Sequence, residues 1–207
     1  DSPVGLQLFG FSIERSIEAI KYLESHATYD ILDINLGCPV FKVTKTGAGS
    51  AWLKEPQKLY EYMKEICKTS TKPVTAKIRL GWDENSINVF EVSSLLEKAG
   101  VKAITVHCRT SKQGYSGKAN YEAIQGLKEK LVSGDIFSPQ DALKAMEITH
   151  CDAIMVARGG VGHPKLVSAI NKALNGEEYD FSENIEEQVG FAREFSRKRI
   201  ELKGERT

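Results

Sequence analysis

The sequence predicts a TIM-type (β/α)8 barrel of class α/β, and three observations carry that prediction. Short apolar segments suited to buried strands alternate with helical patterns over residues 1–174. Strands joined by helical crossovers form a parallel sheet, either doubly wound or closed into an eight-stranded barrel. Polar side chains capable of holding a ligand cluster at the C-terminal end of every strand: Gln7, Asn35, Lys77 with Arg79, His107 with Arg109, Ser133 with Asp135, and Arg158. A doubly wound sheet gathers its chemistry at one switch point, whereas a barrel gathers it around the whole C-terminal rim.

Taken in order, the strand segments are VGLQLF (4–9), YDILDI (29–34), PVTAKIRL (73–80), AITVHC (103–108), LVSGDI (131–136) and DAIMVA (152–157). Helical patterns occupy 13–26, 56–68, 88–100, 121–130, 138–148 and 165–176. Ser138 and Pro139 form a cap and first-turn proline, while Gly100 and Gly176 close helices. Six strands leave two of the barrel's eight to precede residue 1. The chain has no initiator methionine and enters a strand within a few residues, so it reads as part of a longer polypeptide. The join from Lys128 to Val132 runs a charged helix end into a strand with almost no loop, and residues are expected to be absent there. Beyond the barrel domain of 1–174, residues 175–207 read as a polar connector, NGEEYDFSEN, and the opening of a second, helical domain. Ile185, Val189, Ala192 and Phe195 recur at helical spacing there, with Arg193, Arg197, Lys198, Arg199 and Lys203 alongside.

A chain of 207 residues, 41% hydrophobic, is long enough to bury a full core. Lys and Arg number 28 and Asp and Glu number 28, so net charge points to neither nucleic acid nor membrane, and only local clusters can. The four cysteines, Cys38, Cys67, Cys108 and Cys151, are too widely spaced for a zinc ribbon or a disulfide framework. Reduced thiols, no metal, no membrane span and no signal peptide make a soluble cytoplasmic protein the expectation.

ARGGVGHP (157–164) puts Arg158 and three glycines between a strand and a helix, where backbone N–H groups approach a phosphate and Arg158 adds charge-assisted bonds. VSGDIF (132–137) supplies a second loop with Ser133 and Gly134, and the loops after the last two barrel strands commonly form a phosphate site. Either loop alone also reads as a tight turn. Lys77 and Arg79 share one parity of a strand. Inside a barrel they need a ligand or an acid to pair them, whereas on an exposed edge they are merely solvated. His107 is likewise either a ligand or a satisfied core residue. A rim with Lys77, His107 and an anion site suits an aromatic cofactor bearing a phosphate. In DINLGCPV (33–40), Cys38 stands between Gly37 and Pro39 at a strand exit. It is either an ordinary small buried residue or a group presented above the sheet.

The succession LQLFG, NLGCPVFKVTKTGAGSAWL, KIRLGW, VHCRT, VSGDIF and ARGGVGHP resembles the flavin-dependent tRNA-dihydrouridine synthases across almost the whole chain. LKGERT at the end resembles part of that family's helical domain, which helps hold tRNA. The resemblance implies FMN at the barrel mouth, NADPH as its transient reductant, and hydride delivery to a uridine in tRNA by a monomer. It places Gln7 and Lys77 against the isoalloxazine ring and His107 alongside, with Ser133, Gly134, Asp135, Ala157 and Arg158 on the phosphate and ribitol side. Asn35 touches flavin or substrate, and Cys38 is the proton donor on a long loop that closes over the uracil. Hydride addition builds an enolate, so the neighbouring carbon needs a general acid, and a thiol of pKa about 8.5 is still protonated at neutral pH. Arg79, Arg109, Lys42 and Lys45 are then substrate-binding cations, since a uridine must leave its stack and loop cations grip the neighbouring phosphates. A solvated loop is the alternative for each lysine. With the basic face of 193–206, they predict salt-dependent RNA affinity. Ser133 departs from the family's frequent Asn, and ARGGVGHP varies its usual ending. Two other readings stand beside this one. Dihydroorotate dehydrogenases resemble the chain in placing Asn and Cys near a flavin, and a non-catalytic RNA-binding barrel predicts a colourless protein.

Overall fold

A computed structural model describes residues 3–127, 130–182 and 184–204. Its strands are β1 (Gly5–Leu8), β2 (Ile31–Asn35), β3 (Val74–Arg79), β4 (Ala103–His107), β5 (Lys130–Ser133) and β6 (Ala153–Met155). They form one sheet in the order β1-β2-β3-β4-β5-β6, and every neighbouring pair is parallel. Strictly sequential order is that of a barrel wall, because a doubly wound sheet reverses direction at its switch point. The architecture is therefore the α/β TIM type.

The helices are α1 (Ile13–His26), α2 (Phe41–Thr44), α3 (Pro56–Thr69), α4 (Val89–Ala99), α5 (Pro139–Thr149), α6 (Leu166–Leu174) and α7 (Ile185–Lys203). The caps read from the sequence are in place at α5, where the Ser138 hydroxyl accepts the Asp141 N–H at 3.1 Å and Pro139 opens the first turn.

Side-chain parity in the strands sorts the core from the site. Leu32, Ile34, Ala76, Ile78, Val106 and Val132 are buried in one cluster with Leu59, Met63 and Ile66 of α3, Val92 and Leu96 of α4, and Ala142 and Ala145 of α5. This packing between sheet and helices holds the strands in register. The opposite parity carries Gln7, Asn35, Lys77, Arg79, His107, Ser133 and Met155, which all face a single cavity. Cα pairing puts Asn35 beside Lys77, Arg79 beside His107, His107 beside Ser133, and Ser133 beside Met155.

The helix expected over 121–130 does not form. Glu122–Ile124 makes one 3-10 turn, Gly126 adopts φ 81°, and Lys130 already opens β5. Between Ile124 and β5 there are too few residues to wind a helix and return to the sheet. Residues 128–129, with the Lys128 end of the tight join, lie outside the described residues. The α7 helix lies over the expected span but has no buried residue. Lys165 pairs with Glu187 at 2.7 Å, while Arg197 and Lys198 pair with Glu201 and Glu194 on α7 itself. Residues 205–206 of the expected basic face lie outside the described residues. Among the described residues no helix is long and apolar enough to cross a membrane, and no group of three or more His, Cys, Asp or Glu is arranged to hold a metal.

Candidate active site

At the C-terminal ends of the strands lies a cavity of about 310 Å³, the size range of small-ligand sites. It brings together Gln7, Asn35, Cys38, Lys77, Arg79, His107, Ser133, Gly134, Asp135, Ala157 and Arg158 from the residues expected on sequence grounds. Lys42, Lys45 and Arg109 do not line it.

Cys38 is half-buried on the cavity wall, and its backbone is held from both sides. Asn35, the last residue of β2, turns its side-chain carbonyl onto the N–H groups of Gly37 (3.2 Å) and Cys38 (2.9 Å), an Asx-type turn that stops the strand. Its amide donates to Gln7 at 2.9 Å, and Gln7 donates to Asp33 at 2.7 Å. The Cys38 carbonyl accepts from the backbone N–H and the hydroxyl of Ser50, both at 3.0 Å. Cys38 does lie on the long connector between β2 and α3, at its start. The thiol sits on an anchored turn, and the exposed part of the connector begins at Val40. Burial pushes the Cys67 and Cys108 thiols up to about 11 and about 12.

The cations divide into spent and unspent. Arg79 is 2% exposed; its Nε donates to the Gly37 carbonyl at 2.8 Å, and its Nη1 to the carbonyls of Thr110 (2.8 Å) and Gly114 (2.7 Å). Arg109 donates to the carbonyls of Ser116 (3.1 Å) and Gly117 (2.7 Å) and to Asp135 (2.7 Å). Arg109, expected to grip substrate, instead fastens its own loop behind the cavity, because buried guanidinium donors must all find acceptors. Lys77 makes no ion pair among the described residues. Burial, then the Arg79 charge, push its ammonium down to about 8, against the pull of Asp33.

His107 is neutral. Burial, followed by Arg79, Lys77 and Arg109, pushes it down to about 3. Arg109 Nη1 lies 3.4 Å from His107 Nε2. A guanidinium only donates, so Nε2 accepts and the ring proton sits on Nδ1.

At the other end of the cavity the β5 and β6 loops meet. A Cβ on Gly159 would lie 2.0 Å from the Ile136 carbonyl oxygen, so only glycine permits this approach. Asp135 accepts from the Ala119 N–H at 2.8 Å and faces Arg158 at 3.7 Å. Burial alone would raise its carboxyl, but the Ala119 N–H and Arg109 hold it below the usual range. The Ser133 hydroxyl is buried on the wall with no hydrogen-bond partner among the described residues. This end is presented by a 3-10 turn, Arg158–Gly160, and the α6 helix begins only at Leu166.

Sequence reasoning missed Pro39, Val40, Tyr115, Ile136, Phe137 and Met155, which also line the cavity. Tyr115 has the strongest position, with Arg158 4.3 Å above its ring and Arg79 5.6 Å away. An aromatic within the basic stretch RTSKQGYSG was the available signal; its contact with Arg158, 43 residues on in sequence, was not readable.

A half-buried thiol, an unspent lysine, a neutral histidine and an anion-suited end, all at the strand C-termini of a parallel barrel, define an enzyme-type (β/α) barrel site. The family model described as Dihydrouridine synthase (Dus) matches residues 1–206, and the chain belongs to that family. The Probable tRNA-dihydrouridine synthase 1 of Synechocystis is 35% identical over 211 residues, covering 100% of this chain and 59% of that protein. The tRNA-dihydrouridine synthase B of Pasteurella multocida is 38% identical over 150 residues (70% of this chain, 45% of the relative), and that of Pseudomonas aeruginosa 38% over 185 (86% and 55%). The chain spans about half the length of these curated relatives.

Proposed function

We propose that this chain forms the catalytic barrel of an FMN-dependent tRNA-dihydrouridine synthase, which reduces uridines in tRNA to 5,6-dihydrouridine with NADPH as reductant. One observation carries the reading: a single cavity is lined by Cys38 and, with Arg158, by the buried Ser133 hydroxyl, which has no hydrogen-bond partner among the described residues. The residues fit FMN. Ser133, Gly134, Ala157 and Arg158 would hold the phosphate side, and Gln7, Lys77 and His107 the ring. Bound FMN, recharged by NADPH, supplies the hydride. The chain's own residues do the rest. Lys77, half-buried and without an ion pair among the described residues, supplies positive charge where negative charge accumulates. His107 presents its Nδ1–H as a fixed neutral donor. As the uracil ring takes up enolate charge, the Cys38 Sγ–H gives its proton to the adjacent carbon, and the thiolate regains one from water. Asn35 orients the turn bearing the thiol. Lys42 and Lys45, exposed beyond that turn, contact tRNA phosphates.

The purified protein is expected to be yellow or to take up FMN, to be bleached by NADPH, and to produce dihydrouridine in tRNA that lacks it. A colourless protein that binds no FMN, or turnover of dihydroorotate with tRNA ignored, contradicts the proposal.

A further inference from the structure

The carbonyl of Cys38 rests on a buried pair of hydroxyls that the chemistry above does not use. Ser50, fully buried, stands in the 3-10 segment Gly49–Lys54, and Ser111, 6% exposed, follows β4. Their oxygens are 2.5 Å apart, and the Ser50 hydroxyl reaches the Cys38 carbonyl at 3.0 Å. A serine hydroxyl has one proton, and a carbonyl can only accept. Ser50 therefore spends its proton on Cys38, and Ser111 must donate to Ser50. The Ser111 N–H is itself fixed on the Gly81 carbonyl at 2.9 Å. The space beneath Cys38 is full. A Cβ on Gly49 would stand 2.7 Å from the Cys38 carbonyl oxygen and 3.1 Å from its Cβ, and Gly49 has φ 61°. Arg79 joins the same two loops a second time, since it binds Gly37 on one and Thr110 and Gly114 on the other.

We infer that Ser50 and Ser111 are positioning residues: a directed hydroxyl relay, Ser111 to Ser50 to the Cys38 carbonyl, that fixes where the Cys38 sulfur stands and ties it to the loop bearing Tyr115. The catalytic consequence rests on the reading of Cys38 as proton donor, but the relay can be measured without it. Small rotations of an unpinned turn move a side-chain tip by about an ångström, enough to slow a transfer that needs near-contact geometry.

The test measures the rate at which iodoacetamide alkylates Cys38 in the folded protein, with the adduct located by peptide mass spectrometry. Ser50→Ala, which keeps the Ser50 backbone N–H on the Cys38 carbonyl and removes only the hydroxyl bond, is expected to raise that rate roughly fivefold, the value of a single buried hydrogen bond. Ser111→Ala, which leaves the Ser50 bond to Cys38 in place, raises it about twofold, and Ser111→Thr, which restores the hydroxyl, returns it to the original rate. In the FMN-loaded enzyme, Ser50→Ala lowers kcat for tRNA about tenfold while KM is retained. If Ser50→Ala does not fold, the Ser111 pair decides. Alkylation that is unchanged or slower in the alanine variants overturns the relay. Faster alkylation in a protein that makes no dihydrouridine upholds the relay and removes the functional reading instead.

Discussion

Residues 36–39 and 40–47 belong to one connector between β2 and α3, yet they are built on opposite terms. In the first stretch the Gly37 and Cys38 N–H groups are capped by Asn35, the Gly37 carbonyl is bound by Arg79, and the Cys38 carbonyl by Ser50. In the second, Val40 and Phe41 are 52% and 75% exposed, Lys42 and Lys45 face solvent, and the four-residue α2 buries nothing. Under the proposed function a thiol that must meet one carbon needs a fixed origin, whereas cations that meet tRNA phosphates need reach. The connector separates the two demands by sequence position.

Arg79→Leu breaks the anchored half most severely. It leaves the Gly37, Thr110 and Gly114 carbonyls without their donors, and unfolding stability should fall by about 3–5 kcal/mol, read from the urea midpoint. Gly49→Ala strikes the same half more mildly. The strained φ and the close contact with Cys38 predict a loss of about 1–3 kcal/mol, with cavity access altered.

His107 gives a pH signature of the cavity wall. Its folded value of about 3 lies below the ordinary 6.5, so between those limits the unfolded chain binds more protons and stability rises with pH. Acidification from pH 6.5 towards 3 should therefore lower the melting temperature. His107→Gln should flatten that slope. A slope unchanged by the substitution would show that the ring is not held neutral.

The smallest effects belong to the exposed half. Lys42→Ala and Lys45→Ala should leave stability within about 0.5 kcal/mol. Each should weaken tRNA binding a few-fold and reduce the log-log salt slope by about 1. Equal stability losses from these and from Arg79→Leu would erase the distinction between the two stretches.

The strand and helix rhythm was legible because parity and periodicity are local properties. Gln7, Asn35, Lys77, His107 and Ser133 could be placed on one rim because parallel strands deliver their C-termini together. Arg79 and Arg109 were not legible in the same way. Whether an arginine faces a ligand or knots a loop depends on carbonyls up to 42 residues distant, such as Gly37 for Arg79. The helix expected over 121–130 failed for a related reason. Its apolar spacing was adequate, but the chain length left before β5 was not. Ser50 and Ser111, 61 residues apart, carried no signal in sequence, since a serine pair acquires meaning only when folding brings it under a particular carbonyl.

The central claim is that Cys38 is the proton donor to a uracil reduced in this cavity. Its most direct test is Cys38→Ala in the FMN-loaded protein, with bleaching by NADPH and dihydrouridine formation on tRNA followed in parallel. Bleaching should persist while dihydrouridine formation falls by about a hundredfold or more. Formation at the original rate would contradict the account.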